Sequence, residues 1–423
     1  MTRRVAILSA LVFLLAATAQ SPLAQTPSRP RPDEVGLSSE RLKQLSAALN
    51  RYVSDGKLAG GVLLVARRGQ VGYLEAFGQR DVDARSPMRE DTMFRIASQT
   101  KALVSTAVMM LQEDGRLLIT DPVGKYLPEF QETSVAVPKQ GSGYTVVKAK
   151  RAITIRDLLT HTSGVGYGGG PASDKWEKAG ITGWYFADRN EPIRETVSRM
   201  AALPFESQPG ERWVYGYNTD ILGALAERVG GQPLDELLRT RIFAPLGMND
   251  THFYVPESKR DRLATVYSLG ASGRLERTPD QGGMVSQGAY TSGPRKSFSG
   301  GAGLVSTARD YGRFLQMMLN GGELDGKRLL ARTTVELMTT NHLRSIPFTD
   351  GQGFGLGFSV VTDVGARGIP GSLGEFGWGG AYHSTYWVDP KEQMVVVYLT
   401  QLIPAGDVDD HAKMRALLYA ALP

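Results

Sequence analysis

Ser98 and Lys101 stand three residues apart at the start of a long apolar stretch, "KALVSTAVMML". Residues at this spacing share a helix face, so a helix here brings the hydroxyl and the amine together. A serine hydroxyl is a weak nucleophile until a base takes its proton, and an amine kept partly neutral by burial can be that base. Because a lone Lys on a buried helix is costly, the pair favours covalent acyl chemistry over a simple helix cap.

Ser-x-x-Lys is a weak signal by itself, since about one or two such pairs are expected by chance in a chain of this length. A second pair, Ser54 and Lys57, flanks Asp-Gly, which predicts a helix end or turn at the surface. The Ser98 pair therefore needs support from elsewhere in the chain.

Two further segments supply that support. Tyr215, in "GERWVYGYNTDILG", precedes a predicted helix and lies in a loop. The segment "EFGWGGAYHSTYW" places Trp378, Gly379 and Gly380 at the predicted start of a strand. Glycine there lets the backbone approach a ligand closely.

These segments, in this order, resemble the serine β-lactamase and penicillin-binding protein superfamily, and within it the class C-like branch that includes the family VIII carboxylesterases. The resemblance covers nearly all of the mature chain, through "GGVLLVARRGQVGYLEAFG", "FRIASQTK", "LLTHTSGV", "WVYGYNTDILG", "RIFAPLGMNDTHF" and "WGGAY". It implies an α/β (α+β) fold of the β-lactamase/transpeptidase type, with an antiparallel sheet flanked by helices and an inserted helical domain.

The resemblance also implies roles for individual residues. Ser98 would be the acylated nucleophile, Lys101 its proton acceptor, and Tyr215 a base and then an acid. An ammonium beside a phenol favours the phenolate, which makes that proton exchange chemically reasonable. The backbone N–H groups of Ser98 and of Ala381, the latter on an edge strand, would form the oxyanion hole. Substrate contacts would come from Trp378, Gly379, Gly380, Tyr217 and Asn218, with no metal and no cofactor.

The chain departs from the usual superfamily motifs at two places. The second motif is usually Tyr-x-Asn or Ser-x-Asn, but here Tyr217 holds the third place and Asn218 comes one residue late. The third motif usually begins with Lys, and Trp378 replaces it, which removes a cation that would bind a substrate carboxylate. The Trp-Gly-Gly form resembles the esterase branch.

We therefore expect a serine hydrolase that cleaves small carboxylic esters through an acyl-enzyme intermediate on Ser98. A β-lactamase, or a D-Ala-D-Ala carboxypeptidase or amidase of the same superfamily, is the alternative. A binder or sensor that is acylated but does not turn over is a third class. The sequence leaves the natural acyl and alcohol groups open.

The N-terminus has the layout of a secretory signal. Arg3 and Arg4 precede an apolar run and then small residues, and the run is shorter than the roughly 20 residues that a membrane-spanning helix needs. We expect residues 1–24 to be a cleaved signal peptide, followed by an extended, mobile Pro-rich lead at 25–37. The mature protein would be periplasmic or secreted from a bacterium, without a stable membrane anchor.

Composition excludes several partners. The chain has no Cys, so it forms neither a disulfide nor a thiolate metal site. Its formal charge is +5, and residues 1–24 contain two Arg and no acidic residue, so the mature charge is +3. That small excess, without a basic block, argues against nucleic acid. A small-molecule ester or amide is the expected partner, and the oligomeric state stays open.

Periodicity predicts the elements that position these residues. The pattern indicates a helix from Ser38 to Gly56, a β-hairpin turning near Gly69, and strands turning at Asp389-Pro390 before a last helix. Helical patterns dominate between. We predict a discontinuous α/β domain at 38–120 and 346–423 around a mainly helical domain at 121–345, with a cleft at their interface.

Competing motifs are weaker. Gly164–Gly169 matches a dinucleotide-binding loop, but a helix precedes it instead of a strand. No Gly-x-Ser-x-Gly elbow occurs. Five histidines, at positions 161, 252, 342, 383 and 411, are scattered without metal-ligand spacing. His161 could be a base or a structural loop residue. Four aromatic residues of a Gly-rich segment either line the acyl pocket or pack as ordinary loop residues: Trp176, Trp184, Tyr185 and Phe186.

Overall fold

The computed structural model describes residues 29–270 and 273–423. The predicted signal peptide and residues 25–28 of the lead lie outside these ranges. The helices are α1 Ser39–Ser54, α2 Thr100–Glu113, α3 Ile155–Leu159, α4 Ser173–Lys178, α5 Ile193–Met200, α6 Asn218–Gly230, α7 Leu234–Leu238, α8 Ala244–Leu246, α9 Ala308–Leu319, α10 Arg332–Met338, α11 Val364–Arg367 and α12 Asp410–Tyr419. No helix within the described ranges is long and apolar enough to cross a membrane.

The strands are β1 Gly60–Arg67, β2 Gln70–Asp81, β3 Ser86–Pro87, β4 Phe94–Arg95, β5 Ser134–Pro138, β6 Tyr144–Lys148, β7 Tyr267–Leu269, β8 Leu275–Arg277, β9 Val305–Ser306, β10 Glu323–Leu324, β11 Lys327–Arg328, β12 Gln352–Phe354, β13 Ser359–Val361, β14 Phe376–Gly380, β15 Ser384–Asp389 and β16 Met394–Leu399. Eight of them form one antiparallel sheet in the order β12-β13-β14-β15-β16-β1-β2-β3. The predicted fold class, an α/β fold of the β-lactamase type with an antiparallel sheet, is confirmed.

The sheet joins the two ends of the chain. Strand β1 pairs with β2 on one side and with β16 on the other, with Leu64 opposite both Leu74 and Val397. Because β1 is central and covered on both faces, all of its residues are buried. The adjacency of β16 and β1 places the C-terminal strands beside the N-terminal hairpin.

Helices cover both faces of the sheet, and the period of two along β1 divides the core between them. Leu63 and Val65 pack with α1 and α12, whereas Val62 and Leu64 face the larger cluster that includes α2, α6 and α9. Helices α2 and α6 also pack on each other. The predicted nucleophile, immediately before α2, thus lies between the sheet and the helical part of the chain.

Two local expectations need correction. The pattern "FGLGFSVVT" at residues 354–362 predicts one strand, but the chain turns between Phe354 and Ser359, so that the segment contributes to two strands, β12 and β13. The segment 121–345, predicted as mainly helical, also contains two short antiparallel pairs, β5 with β6 and β7 with β8. The Pro-rich lead was predicted to be extended and mobile, but two of its residues, Val35 and Leu37, are buried under the sheet. The predicted domain boundaries stay a prediction.

Candidate active site

Ser98 lies in a 3₁₀ turn, Ala97–Gln99, immediately before α2 instead of inside it. Ala97 has a φ of 41°, a left-handed conformation that is uncommon for a residue other than Gly. Such a turn is held only where the surroundings fix it, and it leaves Ser98 partly exposed at the cavity. Lys101, one helix turn later, is 2% exposed.

Lys101 donates three hydrogen bonds. Its Nζ contacts Ser98 Oγ at 3.2 Å, the Tyr167 hydroxyl at 3.0 Å and the Gly301 carbonyl oxygen at 2.7 Å. These are as many bonds as an ammonium can donate, so the buried group is fully satisfied. The arrangement places the amine where it can take the proton of Ser98.

Tyr215 lies beside Lys101, but its hydroxyl has a different partner. The Lys101 Nζ is 4.6 Å from the centre of the Tyr215 ring, and the Tyr215 hydroxyl accepts a hydrogen bond from Trp378 Nε1 at 2.9 Å. The structure therefore brings Ser98, Lys101, Tyr215 and Trp378 together. It also shows that Trp378 is a hydrogen-bond donor as well as an apolar surface of the cavity.

Tyr167 is the hydroxyl that contacts Lys101, and the sequence analysis missed it. Burial, followed by the charge of Tyr215, raises the pKa of Tyr167 well above its usual value, and the two rings meet edge to face with centroids 5.6 Å apart. Tyr167 is thus a neutral phenol between the other two groups at neutral pH. The available signal was a lone Tyr among the glycines of "GVGYGGG", a segment weighed only as a nucleotide loop.

The second half of β14 faces the nucleophile. A side chain at Gly380 would place its Cβ 2.5 Å from the Ile96 carbonyl oxygen, so only glycine permits this approach. Within the described residues, neither the Ser98 nor the Ala381 amide donates a hydrogen bond. Both predicted oxyanion donors therefore remain available on either side of this close approach.

Two expectations about β14 are wrong. Trp378, Gly379 and Gly380 do not begin the strand, which starts at Phe376. The strand is not at the sheet edge either, because β13 and β12 lie outside it. However, β13 pairs only with Phe376 and Gly377, so the strand behaves as an edge from Trp378 onward.

Hydrogen bonds to neighbouring elements fix the turn that carries Ala381. The buried Tyr382 offers its carbonyl oxygen to Thr400 Oγ1 at 3.2 Å and to the Leu402 amide at 3.2 Å. His383 Nε2 lies 2.6 Å from Asp410 Oδ1. These anchors hold the turn against β16 and α12.

Tyr217 and Asn218 are not brought into the cavity. Both side chains are fully buried; the Tyr217 ring stacks on Trp176 with centroids 5.7 Å apart. Asn218 Nδ2 donates to the Val165 carbonyl oxygen at 3.1 Å, and Ser163 Oγ donates to Asn218 Oδ1 at 2.5 Å. Neither residue is therefore placed to make the predicted substrate contact. Both instead support the loop that carries Tyr167.

Asp220 is a further residue that the sequence analysis missed. It is 1% exposed, and its Oδ1 accepts hydrogen bonds from the Gly301 amide at 3.0 Å and from Ser299 Oγ at 2.6 Å. Burial raises its pKa. Since Gly301 binds Lys101 through its carbonyl oxygen, Asp220 positions Lys101 indirectly. An acidic residue in the apolar run "DILGALA" was the available signal.

His161 packs behind Tyr215. The two ring centroids lie 4.8 Å apart, and His161 is buried at a φ of 56°. Burial, followed by the charge of Lys101, lowers its pKa well below the usual value, so the imidazole is neutral. Within the described chain, no hydrogen bond joins His161 to Ser98 or Lys101. This position supports the structural interpretation.

The cavity around Ser98 is aromatic. Tyr167, Trp184, Tyr215 and Trp378 line it, whereas Trp176 and Phe186 belong to the core. Arg367 and Arg415 lie at its far side. Both bind the buried Glu375, at 2.9 and 2.7 Å. The Ser54 pair has no comparable setting, because both of its side chains are exposed and Lys57 contacts the Gly273 carbonyl oxygen.

Comparison with known proteins agrees with this geometry. Residues 43–421 match the Beta-lactamase family. Esterase EstB of Burkholderia gladioli is 33% identical over 86% of this chain and 91% of its own. A putative D-alanyl-D-alanine carboxypeptidase of Escherichia coli (strain K12) is 26% identical over 90% of this chain and 87% of its own.

A solved structure gives the same result. EstCE1, a hydrolase with promiscuous acyltransferase activity, superposes with a TM-score of 0.78 and 27% identity, over 90% of this chain and 98% of its own. The matches span the whole sheet and the helical segment together. The chain belongs to the Beta-lactamase family and is a serine hydrolase.

Proposed function

We propose that this hydrolase cleaves small carboxylic esters with an uncharged acyl group, through an acyl-enzyme on Ser98. The observation that carries the proposal is Trp378, which stands at the third motif, lines the cavity and hydrogen-bonds to Tyr215. A Lys at this motif would bind a carboxylate, as in substrates of the peptidase type. An indole offers an apolar surface instead.

The remaining charges support an uncharged substrate. Arg367 and Arg415 are the arginines among the described residues that line the cavity, and both bind Glu375, which offsets one of their two positive charges. Lys101 is buried and its three donors are occupied. A substrate carboxylate would thus meet only the one unbalanced charge of this arginine pair, which already binds Glu375, in place of the direct ion pair that a Lys at the third motif would give.

Acylation follows from the contacts. The neutral form of Lys101 accepts the proton of Ser98 as Oγ attacks the ester carbonyl carbon, and the Ser98 and Ala381 amides donate to the developing oxyanion. The tetrahedral intermediate collapses by breaking the bond to the alkoxide. That alkoxide takes a proton from the hydroxyl of Tyr215, which regains one from Lys101 through Tyr167.

Deacylation repeats these transfers with water. Water attacks the acyl carbonyl carbon while the neutral amine of Lys101 accepts its proton, and the bond to Ser98 Oγ breaks as Lys101 gives that proton to Oγ. An alkoxide leaves more easily than an amine, which must be protonated as its bond breaks. Esters should therefore react faster than amides with the same groups in place.

The relatives leave two substrate classes open, since one is named an esterase and another a putative D-alanyl-D-alanine carboxypeptidase. We rank the ester first because of Trp378. We also propose that the chain is exported and that residues 1–24 are removed, as their charge and hydropathy pattern suggests. N-terminal sequencing of the protein from a periplasmic or culture fraction tests this point.

The test compares kcat/KM for p-nitrophenyl butyrate, nitrocefin and a D-Ala-D-Ala peptide, all measured in the presence of EDTA. We expect the ester to be turned over faster than the other two, with Ser98→Ala as the inactive control. A value for nitrocefin or the peptide that equals or exceeds the best simple ester would replace this proposal with the alternative.

Two variants of Trp378 separate its roles. Trp378→Phe keeps the apolar wall but loses the hydrogen bond to Tyr215, which is worth about 1 kcal/mol, so all substrates should slow by about fivefold. Trp378→Lys should instead change the ratio, in favour of carboxylate-bearing substrates. If Trp378→Lys and Trp378→Phe change kcat/KM equally for every substrate, the apolar surface of Trp378 does not select the acyl group.

A further inference from the structure

Two histidines that are distant in sequence meet behind the turn that carries Ala381. His383 closes this turn, and His411 lies in the first turn of α12 next to the fully buried Asp410. Each of the three side chains offers a donor atom, and these atoms lie within 4.8 Å of one another. We call these three residues the His-Asp-His cluster.

Asp410 is placed to orient an imidazole. Its Oδ1 lies 2.6 Å from His383 Nε2, and its Oδ2 accepts a hydrogen bond from the Tyr398 hydroxyl at 2.7 Å. The carboxylate and this ring nitrogen face each other, so an ion that binds both would take the place of the proton between them, and that proton would be released. His383 is itself held at a φ of 58°.

The rings of His383 and His411 stack, with centroids 4.1 Å apart and planes 20° from parallel. Two imidazolium cations at this distance would repel each other, so at least one ring is neutral and keeps a lone pair. Within the described residues, the hydrogen bond that His411 makes is a long one, from Nε2 to the His383 carbonyl oxygen at 3.4 Å. A ligand bond at this ring would therefore replace only a weak contact.

The cluster can be reached from solvent. Both histidines line the cavity that also contains Ser98, and the His383 side chain is 12% exposed. An ion can thus enter, and a water molecule can occupy a coordination position that the protein does not fill. Asp410 supplies one negative charge to a divalent ion.

We propose that His383, Asp410 and His411 bind a divalent transition-metal ion of the Zn²⁺ type. Two imidazoles and a carboxylate suit this class of ion, whereas Mg²⁺ and Ca²⁺ prefer oxygen ligands throughout. Donor atoms around tetrahedral Zn²⁺ lie about 3.3 Å apart. Metal binding would bring the three donors to this spacing by side-chain rotation, mainly of His411, whose hydrogen bond is the longer one.

The test uses the purified full-length mature protein without a histidine tag, stripped with EDTA and dialysed against Zn²⁺. We expect about one Zn²⁺ per chain, and we expect His411→Gln to weaken binding at least about tenfold. His342→Gln is the matched control, since it removes a histidine that lies outside the cluster. It should bind Zn²⁺ as the unmodified protein does.

His411 is the position to change because Asp410 also holds Tyr398 and His383, so its replacement would disturb the fold. Loading with Co²⁺ gives a second measurement on the unmodified protein, in which tetrahedral nitrogen and oxygen ligation produces visible d–d absorption. Absence of stoichiometric Zn²⁺, or undiminished binding in His411→Gln, would leave the cluster as a plain hydrogen-bonded anchor. Neither measurement depends on ester turnover, so the proposed function can fail independently.

Discussion

The two sides of Ser98 present different kinds of functional groups. On the helical side the groups are side chains; Lys101 and Asp220 are buried, Tyr167 is partly buried, and all three are hydrogen-bonded. On the sheet side they are backbone amides next to glycines, and Ala381 is exposed. Proton transfer needs groups with fixed geometry and protonation state, which burial provides. Oxyanion binding needs only correctly placed N–H groups, which the strand provides.

This comparison predicts different sensitivities for the two sides. Substitutions on the helical side should change the chemistry of proton transfer, and they should interact with one another because the groups share a path. Substitutions on the sheet side should act through backbone position, and their effect should depend on the space available at each glycine.

The largest effect should come from Ser98→Ala, which removes the group that both sides serve. Turnover of p-nitrophenyl butyrate should fall by more than about 10³-fold, or roughly 4 kcal/mol of barrier, and labelling by a fluorophosphonate should disappear. Ser54→Ala is the matched control from the exposed Ser-x-x-Lys pair and should leave both unchanged. Labelling that survives in Ser98→Ala would place the nucleophile elsewhere.

Lys101→Ala and Tyr215→Phe should each lower kcat by about 10²-fold or more, as expected for a lost general base or acid. Because the two groups hand one proton between them, the double variant should lose less than the product of the single losses. A double-mutant cycle on kcat measures this coupling. Fully independent effects would mean that Lys101 and Tyr215 do not share a proton path.

Gly380→Ala tests the sheet side. Its Cβ would lie 2.5 Å from the Ile96 carbonyl oxygen, which forces the strand away from Ser98, so kcat should fall by about 10²-fold through the displaced Ala381 amide. Gly379→Ala is the control, since its Cβ meets the Ser384 carbonyl oxygen at 3.0 Å. It should cost only about threefold. Similar losses at both positions would contradict a role for this close approach.

Tyr167→Phe should give the smallest of these effects, a loss of about tenfold in kcat, because it removes the intermediate hydroxyl and its hydrogen bond to Lys101 but keeps Lys101 and Tyr215, the two ends of the proton path. Tyr217→Phe removes the neighbouring hydroxyl, which makes only a 3.4 Å contact to the Tyr167 carbonyl oxygen, and should be near neutral. Steady-state kinetics on the same ester compares the two. A larger loss in Tyr217→Phe would reverse our assignment of the proton path.

Much of the fold could be predicted from the sequence because its signals are local. The period of α1 and the two runs around Gly69 predicted a helix and a hairpin, and Ser98 and Lys101 could be paired because helix geometry fixes neighbours three residues apart. The grouping of Tyr215 and Trp378 with them came from resemblance in motif order. The chemical roles of these residues stay predictions until the variants are measured.

Tertiary structure alone decided which groups contact one another across elements. Tyr167 reaches Lys101 over 66 residues and Trp378 reaches Tyr215 over 163 residues, so no local spacing could show either bond. Conversely, Asn218 was predicted from the sequence to contact the substrate, but it is buried in the first turn of α6. His383 and His411, scattered in sequence, meet because the turn after β14 packs against α12. Local periodicity fixes elements and their near neighbours, but strand register and helix packing determine where distant side chains meet.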